Sequence, residues 1–322
     1  MLPAMERPLG LILGALPPLA AERFRALDSL AEFVAYDDAT ADQRRSAELM
    51  FVWNFRSRGL DGIVAGLPAL RWLHAASAGV EHVIVPSVVE SDIVVTNAAG
   101  IFDAAMAEFV IALVLAHAKG LIGFDRAQQA HRWAYREADM VAGATLVVAG
   151  MGSIGTEVAR AARKLDMAVI GVRRSGQAYP GDPPGVAVTA DLAAAAPQAD
   201  YLAVTAALTP ASRGLVHRGI VDGLRPSAYL INVARAPIVD TDAVVEALRS
   251  GRLAGAALDV FETEPLPADS PLWDVPNLLI TPHMAGDTVD FTGAIVDLFG
   301  ENLGRWRRGE PLEKQIDKAL GY

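Results

Sequence analysis

Three polar residues at the ends of apolar runs could together bind a carboxylate and exchange a proton. Arg235, Glu264 and His283 each follow such a run in the second half of the chain. An arginine fork grips a carboxylate as a lysine cannot, and a histidine with a pKa of about 6.5 exchanges protons near neutral pH. A carboxylate bonded to that imidazole favours its charged form and fixes its orientation. An ion pair, a turn and a structural histidine are the ordinary alternatives for these residues.

A glycine-rich loop precedes these residues in the chain. Gly150, Gly152 and Gly155 form the pattern G-x-G-x-x-G, directly between an apolar run at 144–149 and a helical run at 156–165. Glycines in that position permit a tight turn and let the backbone approach a pyrophosphate at a helix N-terminus. The context predicts a dinucleotide site, whereas a glycine-rich turn without a ligand is the alternative.

The strand predicted after this loop ends in two basic residues. Arg173 lies 173 − 155 = 18 residues beyond Gly155 and is followed by Arg174 and Ser175, where NAD-binding chains usually carry an acid for the ribose hydroxyl. Two guanidinium groups and a hydroxyl would pair with a 2′-phosphate. The sequence therefore favours NADP(H), with NAD(H) as the second cofactor. Two exposed arginines without a ligand are the alternative.

Short apolar runs alternate with helical patterns along the whole chain, which predicts an α/β protein with two Rossmann-like, doubly wound parallel sheets. The predicted strands lie at 11–13, 33–36, 50–53, 72–75, 93–96, 144–149, 167–172, 201–205, 229–233, 254–260 and 278–281. A helix at 104–117 is apolar nearly all round and should be buried. The last helix, 289–308, should return the chain to the first domain. We therefore predict a discontinuous domain of residues 1–99 and 287–322 and a second domain of residues 100–286.

Composition narrows the functional classes. Of the 322 residues 52% are hydrophobic and 20% charged, which excludes a disordered chain. The net charge of −10 and the lack of a basic patch predict no nucleic-acid partner. The chain has no cysteine, so disulfides and thiolate metal sites are excluded, and we predict no metal. The longest uncharged run, 140–156, is too short to span a bilayer, so we expect a cytoplasmic protein without membrane contact.

Several stretches together resemble the D-isomer-specific 2-hydroxyacid dehydrogenases over essentially the whole chain. They are Ser-Ala-Gly-Val at 77–80, Asn-Ala-Ala-Gly at 97–100, the glycine loop and the motifs that contain Arg235, Glu264 and His283. Val52-Trp53, the segment 128–133 and the Arg-Arg-Ser sequence at 173–175 resemble the glyoxylate and hydroxypyruvate reductase branch.

The resemblance implies reduction of small 2-oxo acids to D-2-hydroxy acids with NAD(P)H, glyoxylate and hydroxypyruvate being the expected substrates. It implies a discontinuous substrate-binding, flavodoxin-like domain and a dinucleotide-binding Rossmann domain. Arg235 would clamp the substrate carboxylate, His283 would donate the proton, and Glu264 would support the imidazole. Substrate would also meet Trp53, Ser77, Ala78 and Gly79. Cofactor would be bound by Gly150, Met151, Gly152, Ser153, Ile154, Gly155, Arg173, Arg174, Ser175, Thr205, Val233 and Asp259, the last at the nicotinamide carboxamide.

The resemblance also implies a homodimer, formed through the 104–117 helix and its flanks, with Trp133 as a candidate for the neighbouring subunit's pocket. The chain departs from the family pattern at Ala236, where glycine is usual, and at Ala207, where proline is usual. A nucleotide-sensing binding protein or co-repressor on the same fold is the main alternative function. The presence of Arg235, Glu264 and His283 favours an enzyme, and formate dehydrogenase fits less well because that branch usually carries glutamine at position 264.

Overall fold

A computed structural model describes residues 7–53 and 59–322. Within those residues the strands are β1 Leu9–Leu13, β2 Glu32–Ala35, β3 Leu49–Val52, β4 Trp72–Ala75, β5 Val94–Asn97, β6 Thr145–Ala149, β7 Ala168–Val172, β8 Ala187–Thr189, β9 Tyr201–Val204, β10 Tyr229–Asn232, β11 Gly255–Leu258 and β12 Leu278–Ile280. The α-helices are α1 Pro18–Arg25, α2 Ala41–Ser46, α3 Leu60–Ala65, α4 Pro86–Val89, α5 Asp103–Lys119, α6 Leu121–Gln129, α7 Ser153–Arg163, α8 Leu192–Ala195, α9 Arg218–Gly223, α10 Thr241–Arg249 and α11 Phe291–Arg308. Short 3₁₀ helices cover Ala26–Ser29, Ala196–Gln198 and Ala236–Ile238.

The chain divides into two compact units. Unit 1 contains Met1–Phe102 and Thr288–Tyr322, and unit 2 contains Asp103–Asp287. Each unit holds one sheet in which every pair of neighbouring strands is parallel. The two doubly wound α/β sheets predicted from the sequence, one of them in a discontinuous unit, are thereby confirmed.

Unit 1 contains a five-stranded sheet in the order β2-β1-β3-β4-β5. All residues of β3 and β4 are buried, as expected for parallel strands covered on both faces, which appear in sequence as continuous apolar runs. Because the strands are parallel, the loops after β3, β4 and β5 all leave at the same side of the sheet, where the strands have their carboxyl ends. The predicted substrate residues at 53 and 77–79 lie at these carboxyl ends.

The last helix, α11, packs on the sheet of unit 1, as the sequence predicted. Phe299 of α11 is fully buried and contacts Phe51, Trp72 and Phe24, with ring centroids 4.8, 5.0 and 5.5 Å away. Arg23 of α1 forms ion pairs with Asp290, which directly precedes α11, and with Asp297, which lies within α11. Apolar burial therefore brings the end of the chain back to its first domain.

Unit 2 contains a seven-stranded sheet in the order β12-β11-β10-β9-β6-β7-β8. Six of these strands were predicted. The sequence analysis missed β8, which has three residues and pairs with β7 at the edge of the sheet. None of its side chains is fully buried, so the apolar periodicity that marks a strand is absent there.

Helix α5 packs against α7 in unit 2 and buries residues along much of its length. It is the predicted apolar helix, extended by one residue at its start and two at its end. Within the described residues no single helix is long and apolar enough to cross a membrane; α5 and α6 pass that test only when joined, and they are bent by 62°.

Candidate active site

The three candidate catalytic residues follow three neighbouring strands of unit 2. Strands β10, β11 and β12 lie side by side and run parallel, so their carboxyl ends lie next to one another at the same side of the sheet. Arg235 follows β10, Glu264 follows β11 and His283 follows β12. Ligands of open α/β sheets bind outside the carboxyl ends of the strands, and the glycine loop follows the carboxyl end of β6.

Glu264 and His283 form a hydrogen-bonded pair. The distance from His283 Nδ1 to Glu264 Oε2 is 2.8 Å, and the two side chains are 25% and 16% exposed. The second carboxylate oxygen, Oε1, accepts a hydrogen bond from the backbone N–H of Phe261 at 2.9 Å. Since an ionised carboxylate only accepts hydrogen bonds, it holds the proton on Nδ1 and turns Nε2 away from itself.

The backbone at His283 is held in the left-handed region, with φ of 54°. A non-glycine residue adopts this conformation rarely, and functional sites are enriched in such strain. Asp259, which is 2% exposed, accepts hydrogen bonds from Thr281 Oγ1 at 2.6 Å and from the N–H groups of Met284 and Ala285 at 3.0 Å. Asp259 thus fixes the chain on both sides of His283.

Arg235 lies half-buried in a tight turn after β10. The side chain of Asn232 closes this turn, because its Oδ1 accepts from the N–H of Ala234 at 3.1 Å and its Nδ2 donates to the carbonyl of Arg235 at 3.2 Å. Nη1 of Arg235 donates to the carbonyl of Ala234 at 2.8 Å. These hydrogen bonds therefore fix the backbone position of Arg235, from which its side chain extends.

The glycines of the loop have separate structural reasons. A Cβ on Gly150, whose φ is 116°, would lie 2.4 Å from the backbone N of Ala206, and a Cβ on Gly155 would lie 2.1 Å from the carbonyl oxygen of Gly150. A Cβ on Gly152 would meet no atom of the described residues within 4 Å. The first and third glycines thus permit close packing, and the second leaves open space at the start of α7, where a pyrophosphate could approach.

The other predicted cofactor residues surround this loop. The hydroxyl of Thr205 donates to the carbonyl of Gly150 at 2.8 Å and so braces the turn. Met151 and Val233 are buried, Ile154 is half-buried, and Ser153 is exposed at the start of α7 with its hydroxyl 3.2 Å from Asp103 Oδ1. The glycine loop, its brace and an accessible helix N-terminus together fit a dinucleotide.

Arg173 is held by protein groups. It forms a two-point ion pair with Asp182, its Nε donates to the carbonyl of Met151 at 2.9 Å, and its guanidinium stacks 4.0 Å from the ring centroid of Tyr179. The hydroxyl of Tyr179 in turn donates to Ser175 Oγ at 3.2 Å. Arg174 is exposed. The cluster predicted to meet a 2′-phosphate thus contains one neutralised arginine and one exposed arginine.

Known proteins of one family are similar to this chain. The family model described as "D-isomer specific 2-hydroxyacid dehydrogenase, NAD binding domain" matches residues 111–285, more than half of the chain. The chain belongs to this family. A glyoxylate reductase of Thermofilum pendens is 30% identical over 266 residues, which are 80% of this chain and 78% of that protein.

Solved structures extend the similarity of this 2-hydroxyacid dehydrogenase to nearly the whole chain. A family member from Xanthobacter autotrophicus Py2, in complex with NADPH and MES, has a TM-score of 0.83 and 30% identity over 97% of this chain and 99% of that one. An NADPH-dependent glyoxylate/hydroxypyruvate reductase from Sinorhizobium meliloti, in complex with NADP and sulfate, has a TM-score of 0.86 and 27% identity over 98% of this chain and 100% of that one.

The predicted substrate residues of this dehydrogenase lie in unit 1. Trp53 follows β3, is half-buried and stacks on Phe51 with ring centroids 6.1 Å apart. Ser77, Ala78 and Gly79 form a half-buried loop after β4. The hydroxyl of Ser77 donates to the carbonyl of Gly79 at 2.7 Å, which closes the loop on itself.

Two supporting residues of the dehydrogenase were missed by the sequence analysis. Asn232 begins the sequence Asn-Val-Ala-Arg at 232–235, and an asparagine three residues before a functional arginine is a usable signal for a turn. Asp182 lies in an irregular segment between β7 and β8, and no spacing in the sequence marks it as the partner of Arg173. Its role depends on how that segment folds back.

Proposed function

We propose that this family member is an NADPH-dependent reductase of small 2-oxo acids that yields D-2-hydroxy acids, with glyoxylate and hydroxypyruvate as its substrates. The observation that carries the proposal is the 2.8 Å hydrogen bond between His283 and Glu264. This pair lies at the carboxyl ends of the parallel strands, as do Arg235 and the glycine loop. The names of the relatives support the choice of substrates.

The roles follow from the chemistry of the side chains. A bound nicotinamide nucleotide would supply the hydride. Arg235 holds the carboxylate of the 2-oxo acid and polarises its carbonyl, which a planar fork does by two parallel bonds. His283 gives its Nε2 proton to the carbonyl oxygen as that oxygen gains charge. Glu264, bonded to Nδ1, stabilises the imidazolium before transfer and keeps the ring in place.

Two observations support NADPH as the preferred cofactor. The strand end that usually carries an acidic residue for the ribose hydroxyl carries Arg173 and Arg174 here, and Arg174 is exposed. The solved relatives from Xanthobacter autotrophicus and Sinorhizobium meliloti are described with NADPH or NADP.

The test is reduction of a panel of 2-oxo acids by the wild type, followed by His283→Ala. Loss of a general acid typically lowers the rate about 10² to 10⁴-fold. We expect kcat to fall by that factor while the Kd for NADPH, measured by fluorescence, stays close to wild type. His217→Ala, which removes an exposed histidine of the same unit, should leave kcat unchanged. A loss below about tenfold in His283→Ala would identify another acid.

We also propose that two copies of the chain associate through α5 and its flanks, above all through the flank at 121–140 that follows this helix. Helix α6 exposes Leu121, Ile122 and Phe124, and the stretch that follows exposes Trp133 completely and Tyr135 by 84%. Large apolar side chains exposed in one short segment are typical of an interaction surface. A second copy, as the resemblance implies, would cover it.

Sedimentation at micromolar protein tests this association. The wild type should sediment as a dimer, and Trp133→Lys should shift it toward the monomer because a charge replaces a large apolar contact. Val289→Lys is the matched control, since Val289 is also fully exposed but lies in unit 1. A monomeric wild type would contradict the proposal.

A further inference from the structure

The loop that follows β4 is held by three consecutive backbone carbonyls. The Ser77 carbonyl accepts from the N–H of Ala98 at 3.0 Å, and the Ala78 carbonyl accepts from Asn97 Nδ2 at 2.7 Å. The Gly79 carbonyl accepts from the hydroxyl of Ser77 at 2.7 Å. Each carbonyl of the loop is therefore fixed by a different donor.

Fixing a carbonyl also fixes the next N–H group. The peptide unit is planar and trans, so its C=O and N–H bonds point in opposite directions. The three bound carbonyls consequently aim the N–H groups of Ala78, Gly79 and Val80 away from their donors. None of these three N–H groups has an acceptor among the residues that the structure describes. Successive backbone N–H groups of this kind bind anions.

Asn97, the last residue of β5, connects this loop to the following turn. Its side chain is 4% exposed, its Nδ2 donates to Ala78, and its Oδ1 accepts from the N–H of Ala99 at 3.2 Å. Its own N–H donates to the carbonyl of Lys314 at 3.2 Å. The side-chain amide offers both a donor and an acceptor at this reach, whereas a carboxylate at neutral pH has no donor.

The same device occurs in unit 2. Asn232 ends β10, accepts from the N–H two residues later and donates to a carbonyl of the turn that carries Arg235. In each unit, an asparagine at the carboxyl end of a buried strand thus ties a candidate substrate-binding turn to the sheet.

We propose that Asn97 is a positioning residue for the substrate carboxylate. It holds the Ala78 carbonyl so that the N–H of Gly79 is already directed at the carboxylate when substrate arrives. This rests on the proposed function in one respect, which is that the loop binds the carboxylate of a 2-oxo acid. Because the carboxylate is unchanged by the reaction, the contact stabilises ground state and transition state alike, and its loss should raise KM more than it lowers kcat.

The experiment compares Asn97→Asp with Asn302→Asp. Asn302 is the matched control, because it is 1% exposed, lies in the same unit and bonds backbone groups of Glu313 through its side-chain amide. Asn97→Asp places a carboxylate oxygen against the Ala78 carbonyl. We expect KM for glyoxylate to rise about tenfold or more, as for a lost charge-assisted hydrogen bond, with kcat and the Kd for NADPH close to wild type. Asn302→Asp should leave all three near wild type.

Two further measurements keep the result decisive. Asn97→Ala removes the donor without adding charge, and it should raise KM in the same direction if Asn97→Asp does not fold. Binding of oxalate, measured by calorimetry, requires no turnover and should weaken in both Asn97 variants.

The outcomes separate the two proposals. A wild type that reduces no 2-oxo acid overturns the proposed function, and oxalate binding then still tests Asn97. Equal effects in the Asn97 and Asn302 variants, a fall in kcat at constant KM, or oxalate binding that is absent from the wild type or unchanged in the Asn97 variants overturns the positioning role.

Discussion

Arg173 and Asp182 form a part-buried two-point ion pair, with Nη1 to Oδ2 at 2.8 Å and Nη2 to Oδ1 at 2.7 Å. The two side chains are only 12% and 7% exposed. The hydrogen bond from Arg173 holds the pKa of Asp182 below its usual value, so this carboxylate stays charged at neutral pH. One of the two positive charges at the end of β7 is thereby neutralised within the protein.

Cofactor preference should accordingly depend on Arg174 and Asp182. Arg174→Ala should lower the preference for NADPH over NADH in kcat/KM by about tenfold, the value of one charge-assisted contact, and less at high salt. Asp182→Asn should raise that preference, because it leaves the charge of Arg173 uncompensated.

Kd values for 2′-phospho-ADP-ribose and ADP-ribose measure the same effect without turnover. Arg213→Ala, which removes an exposed arginine elsewhere in unit 2, is the control. Equal use of both cofactors by the wild type and by all variants would contradict a phosphate-binding role for this cluster.

Asp259→Asn should impair His283. The variant keeps the shape of the side chain but replaces one accepting oxygen with an NH₂ group, so the bonds that hold the chain around His283 cannot all persist. We expect kcat to fall about tenfold or more, while the Kd for NADPH changes little.

A nicotinamide contact by Asp259, which the resemblance implies, would instead weaken NADPH binding. Asp200→Asn is the matched control. Asp200 also accepts a hydrogen bond from a backbone N–H, that of Thr145 at 2.8 Å, but it lies at the amino end of β9, away from the carboxyl ends of the strands. An Asp259 variant with normal kcat and weak NADPH binding would exclude the positioning role.

Arg235→Lys should raise KM for the 2-oxo acid and lower kcat together. The lysine retains the charge but loses the fork that holds the carboxylate and polarises the carbonyl. A single charged hydrogen bond corresponds to about tenfold or more in kcat/KM. Arg218→Lys, on the exposed start of α9, should have no effect. An unimpaired Arg235→Lys enzyme would assign Arg235 a structural role.

His74 should make the protein less stable in acid. Thr96 Oγ1 accepts the indole N–H of Trp72 at 2.8 Å and lies in a second hydrogen bond with His74 Nδ1, also at 2.8 Å. His74 Nε2 has no partner among the described residues. Complete burial lowers the pKa of His74 to about 3, so the folded protein resists a proton that the unfolded chain accepts below about pH 6.5.

Stability should therefore fall as pH drops from about 6.5 toward 3, by about 1.4 kcal/mol per pH unit from this residue alone. Urea unfolding between about pH 5 and pH 7 measures this slope. His74→Phe removes the titrating group and should flatten it, whereas His217→Ala should not. An identical slope in the wild type and His74→Phe would contradict the prediction.

The sequence by itself determined the features that depend on local pattern. Continuous apolar runs predicted eleven of the twelve described strands within about two residues at each end, and the order of strand, glycine loop and helix located Gly150 to Gly155. The same runs predicted that Arg235, Glu264 and His283 follow strands. Since parallel strands have their carboxyl ends at the same side of the sheet, this also predicted that the three residues lie at one side.

The tertiary structure decided which polar groups meet. Asp182 neutralises Arg173, Asp259 fixes the backbone on both sides of His283, and Asn97 reaches the carbonyl of Ala78, 19 residues before it in the chain. No periodicity marks these partners, because a hydrogen bond requires heavy atoms within about 3 Å at a suitable angle. Loop geometry and the register of neighbouring strands set such distances, and both arise only when the core packs.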